Sequence, residues 1–254
     1  MGQSHEVVDN PEPVLWTLVL VVAVDTSTPA VTAGVVRLGR SEHSTELCPR
    51  VLATRVTVNA RAHAEVLTPQ ILACLEEANV QRSEIDAIVT GTGPGPYTGL
   101  RVGMATAAAF GDALGVPVYG VCSLDAMAAQ VGPGQELLVV TDARRREVYW
   151  ARYRDGHRIE GPAVHRPAHV QADPSHVIAG SRDHADLFSL PYVEVQSPAP
   201  AGLVAVAARD IVDRRVPDPL VPLYLRRPDA TEPGAPRREP DPIPPPGFLT
   251  RGTA

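Results

Sequence analysis

The chain has 254 residues, of which 44% are hydrophobic and 20% are charged, enough for one or two globular domains with a sizeable core. Its formal net charge of −6 argues against a general nucleic-acid binder but leaves room for RNA contacts through a local arginine cluster. The sequence contains arginine but no lysine, which excludes a P-loop lysine and Schiff-base chemistry.

The cysteine pattern and the start of the chain predict a cytoplasmic protein. Cys48, Cys74 and Cys122 are far apart and match no metal or redox spacing, and an odd number of cysteines fits a reducing compartment. Residues 1–13 are polar and acidic, unlike a signal peptide, and we expect them to be a disordered extension. The apolar run 14–24 is shorter than the roughly 20 residues that a membrane helix needs.

The first half of the chain reads as three strands followed by alternating helices and strands. A continuous apolar run ends at Asp25, as in a strand that is buried on both faces. The predicted elements are strands at 15–24, 30–38 and within 47–58, a helix at 63–78, a strand at 85–89, a helix after the glycine loop, a strand at 116–121 and a helix at 123–131.

Residues 90–115 form a glycine- and proline-rich loop that leads into a helix. Gly93 and Gly95 allow close backbone approach, and Thr98 is a suitable N-cap. Within the helix, four small residues recur every fourth position: Gly99, Gly103, Ala107 and Gly111. Since an interior glycine costs about 1 kcal/mol relative to alanine, some close packing must compensate. This small-residue ridge fits either the chain's own sheet or a helix of another subunit.

The second half starts after the turn at 132–134. A strand at 136–141 ends at Asp142, the turn carries Arg144, Arg145 and Arg146, and an alternating strand follows at 147–153. A helix is predicted at 201–214 and an extended piece at 221–226. We therefore predict domains at 14–131 and 132–227, with helix 201–214 able to pack back on the first. Residues 228–254 are proline-rich and predicted to be a disordered tail.

Six motifs resemble the bacterial TsaB (YeaZ) family in order and spacing across residues 15–228. They are VVAVDTST, ARAHAEVLTPQI, GTGPGPYTGLRVG, GVCSLDAMA, TDARRREVYWARY and PLYLRRP. The resemblance implies an α/β fold of two RNase-H-like domains, as in the actin-like ATPase superfamily, each with a mixed sheet flanked by helices. One departure is Pro96-Tyr97: the chain reads GPGPYTGLR where family members usually read GPGSFTGLR.

The resemblance also implies a function in tRNA modification. Family members are non-catalytic partners and activators of TsaD, which transfers threonylcarbamoyl to adenosine 37 of tRNAs that read ANN codons; TsaE joins the complex. A homodimer is expected when TsaD is absent, tRNA contact is expected to be indirect, and ATP is expected only at a shared interface. The family's contact helices here carry His63, Glu65, Leu67, Ile71, Gly99, Arg101, Gly103, Ala107 and Gly111, which favours the partner interpretation of the ridge.

Two turns occupy the positions of phosphate loops in actin-like ATPases. Asp25, Thr26 and Ser27, together with Gly93, Gly95 and Thr98, would form the vestigial first loop, and Asp142 would open the second. Vestigial loops and purely structural turns both fit the first turn. The alternative is an ATPase or kinase in its own right, with both aspartates facing Mg-ATP. Arg144, Arg145 and Arg146 stand where an active loop needs glycines, and they could instead contact tRNA phosphates, a partner carboxylate or solvent.

Metal and peptidase chemistry find little support. His63 lacks a second histidine four residues on, and Pro167 interrupts the helix that would align His165 with His169. No GxSxG motif is present, so a glycoprotease-type peptidase is the weakest alternative.

Overall fold

The computed structural model of the chain describes residues 19–40, 46–59 and 62–226. The predicted extension 1–13 and the predicted tail 228–254 lie outside these residues, as do the first positions of the predicted strand 15–24.

The first sheet has five strands in the order β3-β2-β1-β4-β5. Strands β1, β2 and β3 form the predicted antiparallel meander, and β4 and β5 add to it in parallel. The bounds are Val19–Asp25 for β1, Ala30–Arg40 for β2, Leu47–Val58 for β3, Ala87–Gly91 for β4 and Val118–Val121 for β5.

Helices cover both faces of this sheet. Successive residues of β1 point to opposite faces, so both faces carry apolar side chains that need a cover. Val22 and Val24 pack in one core with α1 (His63–Glu77) and α2 (Tyr97–Leu114). Val21 and Ala23 pack in a second core with α5 (Pro200–Val212). The helix α3 (Ser123–Val131) follows β5 and joins a third core with the second sheet. The last long helix of the second half of the sequence thus completes the core of the first half.

The second sheet has four strands in the order β8-β7-β6-β9, which repeats the first arrangement on a smaller scale. β6 pairs antiparallel with β7 and parallel with β9. The bounds are Glu136–Asp142 for β6, Val148–Arg154 for β7, His157–His165 for β8, Val177–Gly180 for β9 and Arg182–Ala185 for the short helix α4. Asp25 and Asp142 therefore end equivalent strands, each followed by a hairpin turn.

The start of α2 differs from the sequence prediction. Pro96, with φ −61° and ψ 134°, occupies the N-cap position, and Thr98 lies inside the first turn of the helix. The prediction of Thr98 as N-cap is therefore wrong, because the fixed φ of proline already sets the helix entry two residues earlier. The helix ends at Leu114, and the following Gly115 caps it with a φ of 67°, the left-handed conformation common at helix C-termini.

Candidate docking face and hairpin turns

The first hairpin turn is closed around the carboxylate of Asp25, which is completely buried. One carboxylate oxygen accepts hydrogen bonds from the Ser27 backbone N–H at 2.8 Å and from its hydroxyl at 2.7 Å. The other accepts a hydrogen bond from the Ser123 hydroxyl at 2.6 Å. Burial raises the pKa of Asp25 above its usual value, although the Ser123 and Ser27 hydrogen bonds act in the opposite direction. The carboxylate thus tethers α3 to the turn from inside the protein.

The glycine loop covers this turn. A Cβ atom on Gly91 would overlap the Asp25 carboxylate, and one on Gly95 would overlap the backbone of Ser27. Gly93 accepts a 2.7 Å hydrogen bond from the Ser123 backbone N–H and itself has a φ of 98°. A phosphate bound at the first turn would have to displace this loop.

The burial of Asp25 leads to a pH prediction. Its pKa is raised above the unfolded value of 3.8, so the folded state holds the proton to a higher pH than the unfolded chain does. The contribution of Asp25 to stability is therefore complete below about pH 3.8 and falls as the pH rises through the folded pKa. We expect the free energy of unfolding of the wild type, relative to Asp25→Asn, to decrease as the pH rises above about 3.8, measured by urea denaturation.

Asp173→Asn is the control with the opposite sign. Hydrogen bonds from Ser175 lower the pKa of Asp173, which is exposed. The wild type should therefore gain stability over Asp173→Asn as the pH rises from below the folded pKa of Asp173 to above 3.8. A pH-independent difference between the wild type and Asp25→Asn would contradict the prediction for Asp25.

The small-residue ridge of α2 packs inside the chain. A Cβ atom on Gly99 would lie 2.6 Å from the Thr26 carbonyl oxygen, and one on Gly103 would overlap the Thr26 hydroxyl. That hydroxyl donates a 2.7 Å hydrogen bond to the Gly99 carbonyl. Ala107 is 1% exposed, and Gly111 lies against Val118 of β5. The small residues thus let α2 pack closely against the first hairpin turn and the first sheet of the same chain.

The ridge is therefore not a contact surface, and the prediction that it faces a partner is wrong for Gly99, Gly103, Ala107 and Gly111. Leu67 and Ile71 of α1 are corrected for the same reason, since both are buried in the core beneath the helices. His63 is half-buried, with Nε2 3.0 Å from the Thr28 carbonyl oxygen. Only Glu65 and Arg101 among the predicted interface residues are exposed.

The outward sides of α1 and α2 lie on the same side of the first sheet, since the inward sides of both helices share one core. They expose two rows of residues at helical spacing, which we call the docking face. Its members are Glu65, Thr68 and Leu72 on α1, and Arg101, Ala105, Ala109 and Asp112 on α2. Leu72 is a large apolar side chain that is 38% exposed. Most of this face was not predicted from the sequence, because the glycines that drew the prediction mark the inner side of the helix.

The second hairpin turn has an unusual backbone. Arg144, Arg145 and Arg146 have φ of 63°, 52° and 62°, a left-handed conformation that costs a residue with a Cβ roughly 1–2 kcal/mol. Asp142 stabilises the turn by accepting the Arg144 backbone N–H at 2.7 Å, and it lies 3.4 Å from Nε2 of His184. All three arginine side chains are exposed. The turn thus has the conformation expected of glycines while carrying three long cationic side chains.

This conformation makes Arg146→Gly a stabilising substitution. Relief of the left-handed strain should stabilise the fold by more than the greater flexibility of glycine in the unfolded chain destabilises it. The net gain in the free energy of unfolding should be about 0.5 kcal/mol. The matched control is Arg209→Gly within α5, which should lose about 1 kcal/mol. Chemical denaturation of both variants checks the prediction, and a loss of stability at Arg146 would contradict the left-handed turn.

The two turns border a common cavity of about 130 Å³. Its lining includes Thr28 of the first turn and Asp142 and Arg144 of the second. Asp25 does not line it, because its side chain is completely buried. Small-molecule sites usually measure about 300–1,000 Å³. The cavity is therefore smaller than a typical nucleotide pocket, and the two aspartates do not face each other across it.

The segment after α5 ties the two halves together. Leu223 donates a backbone hydrogen bond to the Thr92 carbonyl at 2.8 Å, and Arg226 binds the Ala143 carbonyl at 2.5 Å and Glu147 at 2.7 Å. Between them, Tyr224 stacks on Tyr97. The PLYLRRP motif could have drawn attention to this segment, but it does not indicate which residues it contacts.

The described residues contain no group of three or more histidine, cysteine or acidic side chains arranged to hold a metal ion. His165, the first member of the HxxxH pair, accepts a 3.0 Å hydrogen bond from the Trp150 indole N–H. No helix in the described part of the chain is long and apolar enough to cross a lipid bilayer.

Two mixed sheets, each with an antiparallel hairpin and parallel additions flanked by helices, define a protein with two RNase-H-like domains of the actin-like ATPase type. Solved structures agree. YeaZ from Pseudomonas aeruginosa superposes with a TM-score of 0.66 at 25% identity, over 82% of this chain and 100% of that chain. A second Pseudomonas aeruginosa structure, described as similar to peptidase YEAZ, gives a TM-score of 0.65 at 27% identity over the same shares.

Sequence relatives place the chain within a family. The model described as TsaD, tRNA N6-adenosine threonylcarbamoyltransferase, matches residues 51–220. An uncharacterized protein of Mycobacterium tuberculosis is 59% identical over 83% of this chain and 93% of its own length. Escherichia coli TsaB, named a tRNA threonylcarbamoyladenosine biosynthesis protein, is 30% identical over 52% of this chain and 54% of its own length. The chain belongs to this family and, within it, to the TsaB (YeaZ) group.

Proposed function

We propose that this protein takes part in threonylcarbamoyladenosine formation on tRNA as the non-catalytic partner and activator of TsaD. The reaction is the transfer of threonylcarbamoyl to adenosine 37 of tRNAs that read ANN codons. The observation that carries the proposal is the closed first turn: the Asp25 carboxylate accepts three hydrogen bonds from Ser27 and Ser123 and is completely buried. A group in that state is not available to a Mg²⁺–phosphate complex.

The docking face supports the partner role. Its charged members Glu65, Arg101 and Asp112 accompany small and apolar ones, which suit contact with another helix pair because small side chains allow close approach. Ala105 and Ala109 are exposed on α2, and Leu72 is exposed on α1. Such a face would bind TsaD, or a second copy of this chain when TsaD is absent. TsaE would join the assembled pair, and any ATP would bind at the shared interface.

Reconstitution tests the proposal. TsaD and TsaE from the same organism, supplied with threonylcarbamoyl-adenylate, ATP and unmodified tRNA, should modify adenosine 37 only when this chain is added. The chain alone should give no modification. Modification that is independent of this chain would reject the proposal.

The second candidate is an actin-like ATPase or kinase in its own right, favoured by the fold and by the pairing of two hairpin turns across one cavity. It requires Mg-ATP to open a cavity of about 130 Å³ and to expose Asp25. Isothermal titration of the isolated chain with Mg-ATP separates the two. Micromolar binding with turnover would establish the ATPase, and no heat of binding would leave the partner role.

A further inference from the structure

Two exposed tyrosines stack on each other at the start of α2. Tyr97 is 44% and Tyr224 39% exposed, and their ring centroids are 4.9 Å apart with an interplanar angle of 24°. The chain's four other tyrosines are buried or half-buried. The Arg101 guanidinium lies 4.0 Å from the Tyr97 ring centroid, and its Nε donates a 3.1 Å hydrogen bond to the Tyr224 hydroxyl. The stack is thus held in place while leaving ring surface in solvent.

The last segment of the chain links the stack to the second hairpin turn. Arg226 binds the Ala143 carbonyl and Glu147 at the base of the turn, and Tyr224 is only two residues earlier, at most about 7 Å along the chain. Pro96, which precedes Tyr97, lines the same cavity as Arg144. We call the combined area the arginine–tyrosine surface. Its members are Tyr97, Arg101, Arg144, Arg145, Arg146 and Tyr224.

The charge of this surface is opposite to that of the whole chain. Four arginines belong to it and Arg226 adjoins it, against the carboxylates of Asp142 and Glu147. The formal net charge of the chain is −6. The three arginines of the turn also keep a left-handed backbone that glycine would adopt at lower cost. Backbone strain of this kind is common at binding sites, where particular side chains are kept in spite of its cost. It therefore points to a binding role for the three arginines.

We propose that the arginine–tyrosine surface binds single-stranded RNA. The turn arginines would contact phosphates, and Tyr224 with Tyr97 would offer a platform on which a base stacks. Cationic side chains next to exposed aromatic rings are the combination that single-stranded nucleic acid requires, whereas the core of a protein interface is depleted of charge. Resting on the proposed function, the natural ligand would be an unpaired loop of the tRNA that TsaD modifies, contacted directly by this chain.

The test uses the full chain without TsaD, so that it does not depend on the partner role. A short fluorescein-labelled oligouridine is titrated with the wild type and with Arg144→Ala/Arg145→Ala/Arg146→Ala by fluorescence anisotropy. The matched control, Arg50→Ala/Arg209→Ala/Arg214→Ala, removes the same charge from exposed positions elsewhere. We expect the turn variant to bind at least about tenfold more weakly and to lower the salt slope by about two, and the control to bind like the wild type.

The aromatic platform is tested separately with Tyr224. Tyr224→Ala should weaken RNA binding about tenfold by loss of stacking, while Tyr224→Phe, which keeps the ring, should restore it. Equal RNA affinities of the turn variant and its control would overturn the proposal. A turn variant that binds RNA normally but no longer co-elutes with TsaD would also overturn it, since the surface would then be a protein interface. Retained TsaD binding with lost RNA binding supports it.

Discussion

Gly103→Leu is expected to destabilise the fold, lowering the free energy of unfolding by about 3 kcal/mol. A Cβ atom at this position already overlaps the Thr26 hydroxyl. Thr26 is 1% exposed, and its hydroxyl donates a hydrogen bond to the Gly99 carbonyl. The new side chain must therefore push α2 away from the first turn or break that bond. The helix propensity gained over glycine, about 1 kcal/mol, is too small to offset this.

Thermal denaturation measures the effect. For a protein of this size, a loss of about 3 kcal/mol corresponds to a Tm lower by roughly 6–12 °C. Ala108→Leu is the matched control, because Ala108 is exposed one residue after the buried Ala107, and it should change stability by less than about 0.5 kcal/mol. A Gly103→Leu protein that melts like the wild type but no longer binds TsaD would show that the ridge faces outward after all.

Much of the fold was predictable because it depends on local patterns. The apolar run that ends at Asp25 predicts a strand buried on both faces, and β1 is such a strand, with alternate residues in two cores. The motif order indicated the RNase-H-like architecture. Strands β8 and β9 escaped prediction because β8 is mostly exposed and β9 has only four residues, so neither has a strong periodic signal.

The candidate site was harder to predict, because a spacing of four small residues shows that something packs closely but not what. For Gly99 and Gly103 the packed element is the chain's own turn at Thr26, which is 73 positions from Gly99 in sequence. Likewise, Tyr97 and Tyr224 are brought together only by the path of the last segment across the domains. The left-handed backbone of Arg144, Arg145 and Arg146 ran against their residue types, so no propensity rule could indicate it.

Ala105→Arg on the docking face is expected to leave the fold intact and to weaken binding to TsaD at least 100-fold, about 2.8 kcal/mol. Ala105 is exposed on α2, so a longer side chain finds solvent in the free protein. Arginine also has a helix propensity close to that of alanine. In the complex, the same side chain would have to be accommodated in a close contact between helices, where a buried, unpaired guanidinium costs several kcal/mol.

Ala205→Arg on α5 is the matched control, since it makes the same change at an exposed helical position on the opposite face of the first sheet. Size-exclusion chromatography and calorimetric titration with TsaD should show binding for the wild type and Ala205→Arg but not for Ala105→Arg, and the adenosine 37 modification should follow binding. Equal affinities of the two variants would place the TsaD contact elsewhere on the chain. If Ala105→Arg bound TsaD with unchanged affinity but abolished the adenosine 37 modification, α2 would be needed to activate TsaD within the complex and not to bind it.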